Sequence, residues 1–205
     1  MTQEPTHTRG LRRHRIGVDD PAAEGQTARA RIQEVALELF IDEGYDKTSL
    51  REIAERLGVT KAALYYHFPT KEDIVSSMVE DRMAQLKEVI DWAKEQPRTE
   101  ETRREVIRRY AGLLQGGRHF KIMQFFERNQ TVAKTLQSGD AMRSQMLEFT
   151  DLLSDRSDPP AVQLRRSLAI FAIHASWFVF STRQVPEEQS REAGLEVAFE
   201  LVSDR

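Results

Sequence analysis

The chain has 205 residues, 40% of them hydrophobic and 31% charged, with a formal net charge of −3. This is a globular balance, long enough for one or two cores, and it leaves any nucleic-acid surface to local placement of charge. Cysteine is absent, which excludes disulfides, thiolate catalysis, redox-sensing thiols and cysteine zinc sites. The histidines His7, His14, His67, His119 and His174 show no metal-ligand spacing and no cofactor motif is present, so neither metal nor cofactor is expected.

Residues 1–26 are polar and interrupted by Pro5, Gly10, Gly17, Pro21 and Gly25, and are expected to form a flexible arm. Arg9, Arg12, Arg13 and Arg15 cluster there, but Glu4, Asp19, Asp20 and Glu24 balance them. Two readings stand open: a solvated tail, or an arm that reaches DNA phosphate or a narrow minor groove. A first helix is predicted over 27–43, where Ile32, Val35, Ala36, Leu39 and Phe40 recur at helical spacing and Gly44 follows. Ser49 and Glu52 have capping-box spacing for a second helix with Leu50, Ile53, Ala54 and Leu57 as its apolar stripe. Gly58 breaks it, Val59 can plug the turn, and Thr60 caps a short third helix over 61–68 that Pro69 stops. Thr70 and Asp73 offer a second capping box for a long helix over 71–95. Beyond Pro97 only helices are predicted, over 99–115, 118–129, 131–137, 140–154, 160–183 and 187–203. The fold class is therefore all-α. The expected domains are the arm 1–26, a helix-turn-helix domain 27–73, and a helical ligand-binding and dimerisation domain 74–205.

Two short helices joined by a glycine-containing turn have the sequence shape of a helix-turn-helix. With Val59, Ala63, Leu64 and Phe68 available for core contacts, Lys61, Ala62, Tyr65, Tyr66 and His67 are left to project elsewhere. Phenols and an imidazole donate to phosphate oxygens, lysines add charge, and small residues let the helix approach base edges. The runs TSLREIAERLGV and TKAALYYHFPTKEDI resemble the TetR (tetracycline-repressor) family of bacterial regulators. The resemblance covers about a quarter of the chain. It implies an N-terminal helix-turn-helix, a C-terminal ligand-binding and dimerisation domain, and DNA contacts at Thr48, Arg51, Thr60, Lys61, Ala62, Ala63, Tyr65, Tyr66, His67 and Lys71. A glycine is frequent in the family where Ala62 stands, and the added methyl changes how closely the helix docks.

Residues 160–183 are apolar almost all round and 187–203 carry an apolar stripe, so both helices need burial on more than one side. Pairing with a symmetry mate satisfies that need, as does an intrachain core. The resemblance implies a homodimer built on Leu168, Phe171, Ala175, Phe178, Leu195, Phe199 and Val202. It also implies a pocket for a small apolar effector among the middle helices, with Trp92, Tyr110, Met123, Phe126, Met146, Phe149, His174 and Trp177 as its candidates. Aromatic and methionine side chains suit an adaptable pocket and equally suit any helical core. The function expected is a repressor that binds palindromic double-stranded operator DNA as a dimer and is released by that effector. The alternative is a helical ligand-binding module that acts as an activator or lacks DNA function. No nucleophile elbow or phosphate loop points to an enzyme. The apolar run Leu168–Phe180 is shorter than the roughly 20 residues of a membrane span, and no signal-peptide pattern opens the chain, so a cytoplasmic location without membrane contact is expected.

Overall fold

The computed structural model describes residues 21–115, 117–137, 140–180 and 183–204, and among them every regular element is helical. The order is α1 (Pro21–Leu39), a single π-helical turn (Phe40–Gly44), α2 (Leu50–Leu57), α3 (Lys61–His67), α4 (Lys71–Lys94), α5 (Glu100–Leu113), α6 (Arg118–Arg128), α7 (Gln130–Gln137), α8 (Asp140–Asp151), α9 (Pro160–Phe180) and α10 (Glu187–Leu201). Helix α1 begins at Pro21, six residues before the expected start, so part of the expected arm is helical. Proline is accommodated in a first helical turn, where its missing N–H has no partner to lose. Arg9, Arg12, Arg13 and Arg15 lie outside the described residues. None of the helices described is long and apolar enough to cross a membrane.

Two cores share one helix. The first gathers Ile32, Ala36 and Phe40 with Ile53 and Ala54 of α2, Leu64 of α3, Phe68 and the start of α4. Helix α6 contributes Phe125 and Phe126 to the same core. The second core unites Leu86, Val89, Ile90 and Ala93 of α4 with Val106, Ile107 and Tyr110 of α5, Phe149 of α8, Ala169, Ile170 and Ile173 of α9, and Ala198 of α10. The first core includes Ile74, Val75 and Met78, beyond the residue at which the sequence pattern of the helix-turn-helix ends.

Helices α9 and α10 lie in close contact, and Gly194 makes that possible: a Cβ there would stand 2.7 Å from Ser176 Oγ and 2.9 Å from Ser176 Cβ. Their ends are tied to α5. Arg103 is buried and donates from Nε to the Val202 carbonyl at 3.0 Å, and Asp204 accepts from both Arg103 and Arg166. Val202 is fully buried in this intrachain core and is not available to a second chain. Leu195 and Phe199 pack on the same core, and Arg104 and Arg108 each stand 5.5 Å from the Phe199 ring centre. Of the terminal helix's stripe, α5 and α9 thus bury Ala198 and Val202 and only partly cover Leu195 and Phe199. The opposite face of α9 is different. Leu164, Leu168, Phe171, Ala175 and Phe178 recur at three- and four-residue spacing and are exposed, Phe171 to 66% and Phe178 to 72%.

Gly194→Ala is expected to push α10 off α9 and lower unfolding stability by about 1–3 kcal/mol. Combining it with Ser176→Gly, which removes both clashing atoms, is expected to recover part of that loss in urea titrations.

Candidate nucleic-acid interface

The helix-turn-helix is positioned by hydrogen bonds that its own residues supply. Ser49 Oγ accepts from Glu52 N at 3.2 Å while the Glu52 carboxylate accepts from Ser49 N at 2.6 Å. This closes the capping box on α2 and holds the Glu52 carboxyl below its ordinary range. Gly58 ends α2 at φ 71°, ψ 27°, a left-handed conformation costly for any residue with a Cβ. Val59 N then donates back to Ala54 O at 3.1 Å, and Thr60 Oγ1 accepts from Ala63 N at 3.1 Å to start α3. Leu64 and Phe68 point into the core, and Arg29 of α1 lies 4.6 Å over the Phe68 ring. The Thr70–Asp73 capping box begins α4.

Anchored through Leu64 and Phe68, α3 leaves Lys61, Ala62, Ala63, Tyr65 and Tyr66 exposed, Tyr66 to 86%. His67 is half-buried, with its ring edge-on to Tyr66 at 5.4 Å. Thr60 and Arg51 are exposed as well, Arg51 paired to Glu55 at 2.7 Å on the solvent face of α2. Val59 and Ala63 are also exposed rather than packed in the core. They border a small apolar hollow of about 180 Å³ with Ile32, Leu57 and His67. No carboxylate falls between Glu55 and Glu72 in the sequence, whereas Arg56, Lys61 and Lys71 do. Of these cations Arg56 pairs with Glu43 and Lys71 is tied to Tyr45, so Lys61 is the one that α3 itself presents to solvent.

Two expected contact residues are placed otherwise. Thr48 is 1% exposed, and its hydroxyl donates to the carbonyls of Gly44 at 2.9 Å and Leu39 at 3.4 Å. It closes the exit of the π-helical turn and presents no side chain to a groove. Lys71 is half-buried, with Nζ donating to the Tyr45 carbonyl at 2.6 Å and lying 4.5 Å over the Tyr45 ring. Tyr45 in turn donates to Glu72 at 2.8 Å, and burial with that carboxylate pushes its phenol well above the usual range. Lys71 ties the end of α1 to the start of α4. A tyrosine just past a helix-ending glycine gives no sequence signal for this role.

Farther along, one cavity of about 320 Å³ opens between α5, α6, α9 and α10. Its walls include Leu114, Phe120, Ile173, Trp177 and Phe180, with Gln115, Gln124 and Ser190 as polar groups. Phe120 and Trp177 stack at 4.7 Å with 7° between their planes. Of the expected pocket residues, Trp177 is on this wall. Phe149 and Phe126 are buried in separate cores, Met146 packs on the second core, Trp92 is covered by the Arg109 guanidinium at 3.8 Å, and Met123 is largely exposed. Composition cannot separate wall from core, because both are built of the same apolar side chains. Tyr110 and His174 instead join a polar row beside the cavity: Tyr110 Oη lies 2.8 Å from His174 Nε2, whose Nδ1 lies 3.4 Å from His119 Nε2. Burial pushes the His119 imidazole down to about 4, with His174 and Arg82 adding to the shift. Burial lowers His174 and pushes the Tyr110 phenol up to about 12.

A family model described as "Bacterial regulatory proteins, tetR family" matches residues 32–78. The chain is 47% identical over 57 residues to the HTH-type transcriptional regulator AcrR of Shigella flexneri, which covers 28% of this chain and 26% of that protein. It is 29% identical over 102 residues to a fatty acid metabolism regulator protein of Bacillus subtilis, covering 49% of this chain and 53% of that one. These matches span about a quarter to a half of the relatives' length. In fold, the chain superimposes on a transcriptional regulator (TerR/AcrR family) from Aquifex aeolicus with a TM-score of 0.60 at 22% identity, over 82% of this chain and 98% of that one. A TetR-like transcriptional regulator from Rhodococcus gives a TM-score of 0.58 at 19% identity over 89% and 96%.

Lys71→Ala is expected to lower unfolding stability by about 1–2 kcal/mol through loss of the Tyr45 contacts. Lys61→Ala is expected to stay within about 0.5 kcal/mol of the parent in the same denaturant titration. A neutral imidazole in the folded state and a protonated one in the unfolded chain favour unfolding below pH 6.5. Stability should therefore fall as pH drops from 6.5 toward 4, by at most about 3 kcal/mol, and His119→Gln should flatten that decline.

Proposed function

We propose that this chain, whose residues 32–78 match the family model for bacterial regulatory proteins of the tetR family, is a transcriptional repressor that binds palindromic operator DNA as a homodimer and is released by a small effector. The observation that carries this reading is α3 itself. It is a two-turn helix clamped by Leu64 and Phe68, and it turns Lys61, Ala62, Ala63, Tyr65 and Tyr66 outward on a stretch of chain, residues 56–71, that carries no carboxylate. Tyr65 and Tyr66 hydroxyls and His67 donate to phosphates, while Lys61, with Nζ 5.1 Å over the Tyr65 ring, is placed for a phosphate or a guanine edge. Ala62 and Ala63 bring the backbone close to the bases, and the helix N-terminus at Thr60 adds partial positive charge.

One such helix reads too few base pairs for specificity, so a second copy is required about 34–36 Å away, in the next turn of the major groove. The exposed row Leu164, Leu168, Phe171, Ala175 and Phe178 supports an isologous contact through α9. Arg51 and Lys71 lie at the flanks of α3, and Lys71 reaches phosphate only by giving up its bond to Tyr45. The 320 Å³ cavity supports effector binding, because α6, which lines it, also inserts Phe125 and Phe126 into the helix-turn-helix core. A ligand that prefers one placement of α6 shifts the placement of α3 by that preference alone.

Selection of bound fragments from a random duplex library by the full chain should yield a palindrome. Lys61→Ala should weaken that binding by about 1–3 kcal/mol and relax preference at one position of each half-site. Phe171→Glu should give monomers in analytical ultracentrifugation and abolish operator binding while leaving the fold intact. A failure to enrich any sequence from the library would refute the reading.

A further inference from the structure

Four helices place donors side by side next to the Phe120–Trp177 wall. Tyr110 comes from α5, His174 from α9, His119 and Arg118 from α6, and Arg82 from α4. Arg82 is half-buried and donates to the Leu113 carbonyl; Arg118 donates to the Gln33 carboxamide. Neither arginine has an ion-pair partner among the described residues, and no carboxylate contributes to the field at either histidine. On the cavity side the charged neighbours are Lys121, paired with Glu38, Arg191, paired with Glu188, and the exposed Glu187. Asp81 accepts from the same Gln33 carboxamide but is exposed and pairs with neither arginine among the described residues; burying cationic and donor groups without a directly paired acid is unfavourable unless something anionic completes the site. The row does not itself line the cavity, but His119 precedes the wall residue Phe120, His174 follows the wall residue Ile173, and both histidines keep partial exposure.

We infer that this row anchors the head group of the effector, and that the effector is a small amphipathic carboxylic acid whose apolar body lies in the cavity against Phe120 and Trp177. The inference rests on the effector-release reading above and specifies its ligand. The cavity, about 320 Å³, stands at the lower end of the size range of small-molecule sites. The hydrogen-bond row explains how two neutral imidazoles beside Arg82 and Arg118 come to accept an anion. With the histidines neutral, the row Tyr110–His174–His119 runs in one of two directions: it ends in a donor at Tyr110 Oη and an acceptor at His119 Nδ1, or in the reverse. One proton added to the row makes both ends donors. An arriving carboxylate raises the imidazole affinity for that proton, so binding and proton uptake are linked, and by reciprocity acidic pH favours binding.

The test is calorimetric titration of the full chain with octanoate, decanoate and 2-naphthoate, each beside its neutral carboxamide, from pH 5.5 to 8. At least one acid should bind at least tenfold more tightly than its amide at pH 6. Its affinity should fall by up to tenfold for each unit that the pH rises, with uptake of up to one proton seen as a dependence of the heat on buffer. His119→Gln should remove the pH dependence of acid binding, and Arg82→Gln should lower acid affinity and shrink the acid-to-amide ratio. Acids that bind no better than their amides, or none that bind at all, would overturn the inference, as would a pH dependence that persists in His119→Gln. Operator gel shifts separate the two readings. Amides that release DNA while acids do not would retain the repressor and discard the acid. Acids that bind as described without altering operator affinity would retain the acid site and discard effector release.

Discussion

The rest of the structure depends on α4 being one uninterrupted helix that belongs to two cores. Its first turns pack Ile74, Val75 and Met78 under α1 and α3, and its middle packs Leu86, Val89, Ile90 and Ala93 against α5, α8 and α9. A rod held at both ends cannot shift in one core without straining the other, because packed interiors deform in steps rather than continuously. The start of this rod is pinned twice: by the Thr70–Asp73 capping box and by Lys71 Nζ on the Tyr45 carbonyl.

The second connection is polar. Gln33 is buried on α1, and its Nε2 donates to Ser77 Oγ and to Asp81 Oδ2, both at 2.8 Å, while its carbonyl oxygen accepts from Arg118 of α6. A single carboxamide thereby joins α1, α4 and α6. Because a buried polar group left without partners is costly, displacement of α6 must be followed by its partners or cost their bonds. Arg118 also raises the potential at Arg82, so the joint and the histidine row share one electrostatic environment. The cavity wall, the joint and the helix-turn-helix are contiguous through α6, and the proposed coupling between cavity and α3 rests on that contiguity.

The two apolar surfaces of α9 and α10 resolve differently for a geometric reason. Helix α10 is sandwiched against α9 and α5, so Val202 and Ala198 are spent inside the protomer and Phe199 is covered by arginine side chains. Helix α9 packs through Ala169, Ile170 and Ile173, and its other side exposes Leu164, Leu168, Phe171 and Phe178. An apolar row of this length is unfavourable in water, and on that the proposed contact with a second copy rests.

What the sequence determined by itself was segmentation. Ser49 with Glu52, Gly58, Thr60, Pro69, and Thr70 with Asp73 act through bonds and steric limits that reach at most a few residues, so the ends of α2, α3 and α4 were legible from the residues alone, as was the outward set Lys61, Ala62, Tyr65 and Tyr66. Only the tertiary structure decided where longer-range partners come from. It turned Thr48 inward onto Leu39 and Gly44 and tied Lys71 to Tyr45. It committed Val202, Phe126 and Phe149 to intrachain cores, and it drew Tyr110, His119 and His174 from three separate helices into one row. The reason is that capping is settled within one turn of chain, whereas burial is settled by which distant helix arrives to cover a given face.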